Sequence, residues 1–352
     1  MVKISFIVPV YNQQRYVKQC LDSITNQGLQ EDKYEIIIVN DGSSDNSLAI
    51  IQQFAQSRSN VIVIDKKNGG LEKARHDGYM SANGKYIAHV DSDDFLEPNI
   101  YARMLKIAED TDADYVECAS NRYIGNRLIN YKTRCGQEVT GLIEQPELFN
   151  DYYISFFGVN RLSINVWGKL YRKSTIDKAQ LKPSGYTMGE DLIYNLKLFP
   201  FLNKIYILND VGYNYRWGGM TSKFNPKFYF DIRRMYNFKL IQALKYNYTK
   251  AITPLKIELK NALLFEIIQR IKWRTEPAEA TICFIAEDLE SPEWKEIIET
   301  MATSEYFQNE FCQSLICGDV EKAYRCCKDT IKKNRINTGI RHFAAKVISK
   351  IL

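Results

Sequence analysis

The chain has 352 residues, enough for two domains or one large domain with an appendage. A hydrophobic fraction of 45% and a charged fraction of 25% are ordinary for a soluble globular protein with a sizeable core. The formal charge of +5 is too mild to argue for nucleic acid, and no apolar stretch approaches the roughly 20 residues of a membrane span.

The first hundred residues alternate strand and helix signals. Ile4-Ser-Phe-Ile-Val-Pro-Val10 reads as a buried strand, and Tyr16 to Gln27 as a helix with Val17, Cys20, Leu21 and Ile24 on one face. Glu35 to Val39 is a second strand. Ser43-Ser-Asp-Asn46 offers caps for a helix carrying Leu48, Ile51 and Phe54. Asn60 to Ile64 is a third strand, Gly69-Gly70 opens a helix from Leu71 to Ala82, and Lys85 to Val90 is a fourth strand. Apolar strands alternating with amphipathic helices imply a parallel sheet covered on both faces. In such sheets ligands bind beyond the carboxyl ends of the strands. Four polar stretches sit there: Pro9-Val-Tyr-Asn12, Asn40-Asp-Gly42, Asp65 to Gly70, and Asp91 to Asp94.

The fourth of these carries most information. Tyr86-Ile-Ala-His-Val-Asp-Ser-Asp-Asp-Phe95 is an apolar run ending in three carboxylates. If the strand continues, Asp91 and Asp93 point the same way. They repel unless a cation or protons lie between them. Carboxylate oxygens suit Mg²⁺ or Mn²⁺, commonly shared with substrate phosphates.

Further on, Asp114 to Ala119 reads as a strand, Gln145 to Phe157 as an aromatic helix, and Val166 to Tyr171 as strand or turn. Gly189 to Leu196 starts a helix with acids in its first turn, where the helix dipole favours them. Lys204 to Tyr215 is a strand. From about Pro226 the chain reads as successive helices, Phe228 to Tyr246, Thr253 to Trp273, and Glu293 to Met301 and beyond. A catalytic domain over 1–222 and a helical domain over 223–352 are expected. At the end, Ile340, Phe343, Ala344, Val347, Ile348 and Ile351 form one stripe, with Arg341, Lys346 and Lys350 facing away. That helix either lies on an anionic membrane surface or docks on its own domain. The eight cysteines include no Cys-x-x-Cys pair. Ile4–Val10 is not followed by a small-residue cleavage site, so reduced thiols and a cytoplasmic location are expected, with peripheral contact to the inner membrane face if the last helix supplies it.

Taken in order, these motifs resemble a bacterial-type family 2 glycosyltransferase over roughly residues 1–220. Ile7 to Asn12 matches the opening strand and loop, Ile38 to Asp45 the second, and Asn68 to Arg75 with Gly78 the third. Asp91-Ser-Asp93 matches the Asp-x-Asp motif and Glu190-Asp191 the later acidic one. The resemblance implies the Rossmann-like GT-A fold: α/β, with a mostly parallel central sheet, followed here by an α-helical C-terminal domain.

It also implies roles. Pro9, Tyr11 and Asn12 would line the base pocket, with Asn68 and Gly69 nearby. Asp41 would accept the N3–H of uracil, which favours a UDP-sugar donor. Arg75 would approach the diphosphate. Asp91, with Ser92 beside it, and Asp93 would hold the ribose and a Mn²⁺ or Mg²⁺ ion. Asp191 would be the general base for inverting transfer to a glycan acceptor, whether polysaccharide, lipid-linked or glycoprotein. Trp167, Lys169 and Glu190 would lie near the acceptor, and Tyr213, Tyr215 and Arg216 in a loop that closes over the diphosphate. His76 departs from the small or amide residue that often follows the Arg.

Each residue also has a plainer reading: Asp41 as a turn, Asp45 as a helix cap, Asp94 as a cap or solvated acid, Glu190 and Asp191 as dipole complements. Two other functions compete. A sugar nucleotidyltransferase would want a glycine-rich basic loop after the first strand, where Tyr11-Asn-Gln-Gln-Arg15 stands instead. A non-catalytic glycan-binding or scaffold protein would have no use for Asp91, Asp93 and Asp191. The helical domain is left with acceptor binding, homodimer formation or membrane placement as roles.

Overall fold

The computed structural model describes residues 1–124, 126–133, 140–145, 152, 163–186, 189–217, 227–273, 276–303 and 308–333. The expected helix from Gln145 to Phe157 and the terminal basic helix lie almost wholly or wholly outside them.

Two compact units divide the chain, residues 1–223 with 243–251, and residues 224–242 with 252–352. The short stretch 243–251, expected in the C-terminal domain, groups with the first unit.

The first unit is built on strands β1 (Ile4–Val10), β2 (Tyr34–Asp41), β3 (Val61–Lys66), β4 (Tyr86–His89), β5 (Phe95–Leu96), β6 (Tyr115–Ile124), β7 (Arg127–Thr133), β8 (Gly141–Glu144), β9 (Lys169–Arg172) and β10 (Lys204–Trp217). They form one sheet in the order β3-β2-β1-β4-β9-β6-β10-β5, with β7 on β6 and β8 on β10. Strands β3, β2, β1 and β4 are parallel neighbours. Strand β9 runs against both β4 and β6, so β6 and β10 again share the direction of the first four. The crossovers are helices α1 (Val17–Thr25), α2 (Ser47–Ala55), α3 (Leu71–Met80) and α4 (Ile100–Thr111), and α5 (Lys173–Ala179) and α6 (Glu190–Leu198) follow β9.

Every residue of β1 and β2 is buried, as expected where helices cover both faces. Val17, Cys20, Leu21 and Ile24 are the buried face of α1, and Phe6 packs edge-on against Tyr34 and Tyr101. Helix α3 lies so close to β1 and β2 that a Cβ on Gly78 would stand 2.6 Å from Ile7 Cγ2. This close seat fixes the height of α3, and with it Arg75.

The second unit contains most of α7 (Phe228–Lys245), then α8 (Ile252–Trp273), α9 (Ala278–Leu289), α10 (Pro292–Thr303), α11 (Glu310–Ile316) and a helical stretch over 320–333. Leu255, Leu259, Leu263, Ile285, Trp294 and Ile297 are fully buried within it. Buried Asp288 accepts from the Tyr229 hydroxyl and from Arg233 at 2.6 Å. Among the described residues no helix is long and apolar enough to cross a membrane.

Candidate active site

Three loops at the carboxyl ends of β1, β2 and β3 are tied to one another by side-chain-to-backbone bonds. Asn12 has φ +54°, a conformation that Asn tolerates better than most residues. Its Oδ1 accepts from Ser44 N at 2.8 Å, while its own N–H donates to Ser43 Oγ at 3.1 Å. Asp45, one residue before the N-cap Asn46, accepts from Gln14 N and from Ser47 N, so it ties the β1 loop to the start of α2. Pro9 lies within β1 opposite Val39. Tyr11 is 52% exposed at the rim.

Asp41 is buried at the end of β2. Its two oxygens accept from Gly69 N and Gly70 N, both at 2.8 Å, and Lys66 Nζ lies 3.3 Å away. Asn68 Nδ2 donates to the Asp41 carbonyl at 2.9 Å. Each carboxylate oxygen thus accepts one backbone amide, with the Lys66 ammonium beside them as an ion pair. Asp41 therefore fixes the Asn68–Gly70 turn, where Gly70 has φ +91° and opens α3.

The acidic turn departs from the strand geometry expected of it. Strand β4 stops at His89, and Asp94 N–H closes a turn on the Asp91 carbonyl at 3.0 Å. Asp91 and Asp93 thus sit in a turn rather than on one face of a strand. Arg75, buried on α3, joins the two halves of the site. Its Nη2 donates to Asp91 Oδ1 and its Nη1 to Asp191 Oδ1, each at 2.6 Å, with Glu190 at 3.8 Å. Asp191 Oδ2 accepts from Val166 N at 3.2 Å. Asn195 Nδ2 donates to the Asp191, Ile164 and Asn165 carbonyls, while Tyr171 donates to Asn195 Oδ1. So α6 and the 164–166 segment are locked in register beneath the Asp191 carboxylate.

Asp94, expected as a cap or solvated acid, is fully buried; Arg216 N–H donates to its Oδ1 at 2.7 Å, and its Oδ2 has no hydrogen-bond partner among the described residues. The expected lid is also placed otherwise. Tyr213, Tyr215 and Arg216 belong to β10, in mid-sheet. Tyr213 is buried and its hydroxyl accepts from Asp91 N at 3.0 Å. Arg216 is buried over the rings of Tyr16 and Phe95, donating to the Asp93 carbonyl and to Gln19 Oε1. Trp167 is half-buried and stacks between Tyr213, centroids 4.4 Å apart, and Tyr215 at 5.4 Å. Lys169, expected near the acceptor, is fully buried and spends its ammonium on the Ser163 and Asn165 carbonyls at 2.6 and 2.7 Å. It shapes the segment before Trp167 instead of reaching a substrate.

Among the described residues the guanidiniums of Arg75 and Arg216 face the cluster Asp91, Asp93, Asp94, Glu190 and Asp191, and Asp93, Asp94, Glu190 and Asp191 are raised. Burial, then Asp91, pushes Asp93 up to about 6. Burial, then Asp93 and Asp91, holds Asp94 well above the carboxylate range. Burial, then Asp191, pushes Glu190 up to about 7, and burial raises Asp191 against the pull of Arg75. A raised acid stabilises the fold below its unfolded value and loses that contribution as pH rises through its folded value. The ligand-free protein is thus expected to lose thermal stability between about pH 4 and 7. A melting series over that range tests this, and Asp93→Asn should remove the portion lost between about pH 4 and 6.

His89 and Tyr194 are site residues that no motif signalled. A histidine ending an apolar strand is the one mark His89 leaves in the sequence. Its ring is buried, with neither nitrogen hydrogen-bonded among the described residues.

Residues 5–177 match the model of the family described as Glycosyl transferase family 2. The uncharacterized glycosyltransferase EpsJ of Bacillus subtilis is 31% identical over 214 residues, 60% of this chain and 60% of that one. A poly(ribitol-phosphate) beta-glucosyltransferase of Bacillus spizizenii is 38% identical over 115 residues, 32% of this chain and 18% of its own. The match thus spans less than two thirds of these relatives. The crystal structure of S. aureus TarS 1-349 in complex with UDP-GlcNAc superposes with a TM-score of 0.67 at 18% identity, covering 95% of this chain and 92% of that chain. The two chains share a fold.

Proposed function

The chain belongs to glycosyl transferase family 2, and from that we propose that it moves a sugar from a UDP-sugar to an acceptor hydroxyl by inverting single displacement. The observation that carries this reading is the position of Arg75, which holds Asp91 and Asp191 at 2.6 Å each. One residue belongs to the loops that would receive a nucleotide, the other to the start of α6, and the guanidinium makes them one site. The UDP-GlcNAc in the TarS complex and the glucosyl transfer named for the B. spizizenii relative point the same way.

In this reading Tyr11, Pro9 and Asn12 receive the uracil, and the amides of the Asn68–Gly70 turn stand beside it. Asp41 acts on the base mainly through that turn. Ser92 and Asp91 face the ribose side. Asp191 takes the proton of the acceptor hydroxyl as its oxygen attacks the anomeric carbon. Trp167 and Tyr215 offer an aromatic surface to a sugar, and Glu190 flanks the base.

A divalent cation fits the acidic turn. Among the described residues no three His, Cys, Asp or Glu side chains converge into a closed cage, but five carboxyls face two guanidiniums, and Asp93 forms no ion pair there. One or two carboxylates completed by phosphates is a common arrangement for Mg²⁺. Asp93, with the second oxygen of Asp91, would hold the ion. When bound, it would supply positive charge to the leaving diphosphate.

Release of UDP, screened across UDP-sugars with Mn²⁺, tests the reading. The right donor should turn over, and Asp93→Ala should abolish the gain in UDP affinity that Mn²⁺ confers. No UDP release with any donor or acceptor, together with no UDP binding by calorimetry, would sink it. Equal affinity with Mn²⁺ and with EDTA would remove Asp93 from a metal site.

A further inference from the structure

The Arg75–Asp191 pair has a second side. A cavity of about 50 Å³ reaches it between α3, α5, α6 and the end of β4. Arg75, His89, Glu190, Asp191 and Tyr194 are its polar walls, and Asp91 and Asp93 are not among them. At its outer end stand half-buried His76 and exposed Lys182.

Four buried polar atoms on this wall have no partner among the described residues: Arg75 Nε, both ring nitrogens of His89, and the Tyr194 hydroxyl. Buried polar groups are rarely left unmet, because leaving one dry is costly. All four belong to residues that line one cavity, and ordered water is the partner that such groups commonly take. A water needs on the order of 15 Å³ of cavity space, so the cavity has room for a few. The neighbouring groups are otherwise engaged. Glu72 accepts from Ser184 N and Gly185 N, Tyr79 donates to Asp177, and Tyr171 donates to Asn195 while its ring packs on His89 and Tyr194. The ring of His89 lies edge-on to Tyr194, centroids 5.6 Å apart.

We propose that this cavity is a hydrated passage by which the proton taken from the acceptor hydroxyl leaves Asp191 for solvent, with His89 and Tyr194 holding its inner waters. The proposal rests on the glycosyl-transfer reading. The acceptor's O–H proton passes to an Asp191 oxygen as the acceptor oxygen bonds the anomeric carbon. The bond to the diphosphate breaks, and its electron pair leaves with UDP. Asp191 becomes a carboxylate again by giving that proton to an inner water, while a proton leaves the outermost water at the mouth. A neutral imidazole donates from one ring nitrogen and accepts at the other, and a phenol does both at one oxygen. These are the groups that order a short file of waters. With donor and acceptor filling the front, this is the side of Asp191 still open to water.

The test uses the full chain, with His89→Phe and Tyr194→Phe, in two measurements. A high-resolution crystal structure should show two to four ordered waters in the cavity, bonded to His89 and Tyr194. Each variant should lower kcat about tenfold, leave KM for the UDP-sugar within about twofold, and enlarge the solvent deuterium isotope effect on kcat. A dry cavity overturns the proposal. So do both variants at wild-type kcat, or a loss of kcat accompanied by an equal rise in KM and an unchanged isotope effect. If His89→Phe fails to fold, Tyr194→Phe, which removes one hydroxyl, decides alone. Wild-type protein inactive on every UDP-sugar brings down the transfer reading and this proposal together. Wild-type turnover with unaffected variants brings down the passage alone.

Discussion

Asp191→Asn is expected to lower sugar transfer by roughly two to four powers of ten while leaving UDP-sugar affinity within about threefold. The reasoning is geometric. Asp191 is held from two directions, by Arg75 on Oδ1 and by the Val166 amide on Oδ2. An asparagine can keep the bond from Val166, so the local fold survives the change. It cannot accept a proton at neutral pH, so the attacking hydroxyl loses its base. Single-turnover transfer and isothermal calorimetry with the intact donor separate the two effects. Near-normal turnover would move the base to Glu190, which stands 3.8 Å from Arg75 and is pushed up to about 7.

Arg75→Met is expected to cost about 3–5 kcal/mol of unfolding free energy and to abolish transfer. Breaking a buried ion pair by removing one partner leaves uncompensated charge behind, and here Asp91 and Asp191 are both left. Urea unfolding measures the loss. Because the orphaned acids can recover by taking up protons, the deficit should shrink as the pH falls from 7 toward 5. Unchanged stability at pH 7 would show that the three groups do not form one buried cluster. Arg75→Lys should not restore activity, since an ammonium is a point charge and cannot bridge two carboxylates with the fixed fork of a guanidinium.

Much of the first unit was legible because its signals are local. Strands β1, β2 and β3 are apolar runs bounded by turn residues, and the buried stripe of α1 falls at helical spacing. The stripe of α4, Ile100, Tyr101, Met104, Leu105 and Ala108, has the same spacing, but it follows Asn99 in a left-handed conformation with no side-chain cap and was not anticipated. Which motif residues would stand free could not be read. Lys169 and Arg216 carry charges next to family motifs, which suggests contact with ligand. Both turned inward because the segment before Trp167 and the acidic turn present bare carbonyls that need donors. Asp41 was diverted in the same way by the amides of Gly69 and Gly70. Such long-range pairings arise only when the sheet brings chain segments together, and no spacing in the sequence encodes them. His89 and Tyr194 were hidden for a related reason: what singles them out is the lack of a partner in three dimensions.

The cross-ties among the loops after β1, β2 and β3 bear on how a donor would arrive. Asn12 with Ser44, Gln14 with Asp45, and Asp41 with Gly69 and Gly70 are bonded through the protein's own groups alone. A nucleotide entering there would find a mould already set, so little chain entropy is lost on docking. Encounter with such a surface is governed by diffusion and orientation more than by a slow closing motion. Discrimination between donors would then rest on shape at first contact, leaving little scope for refolding around whichever sugar nucleotide happens to be abundant.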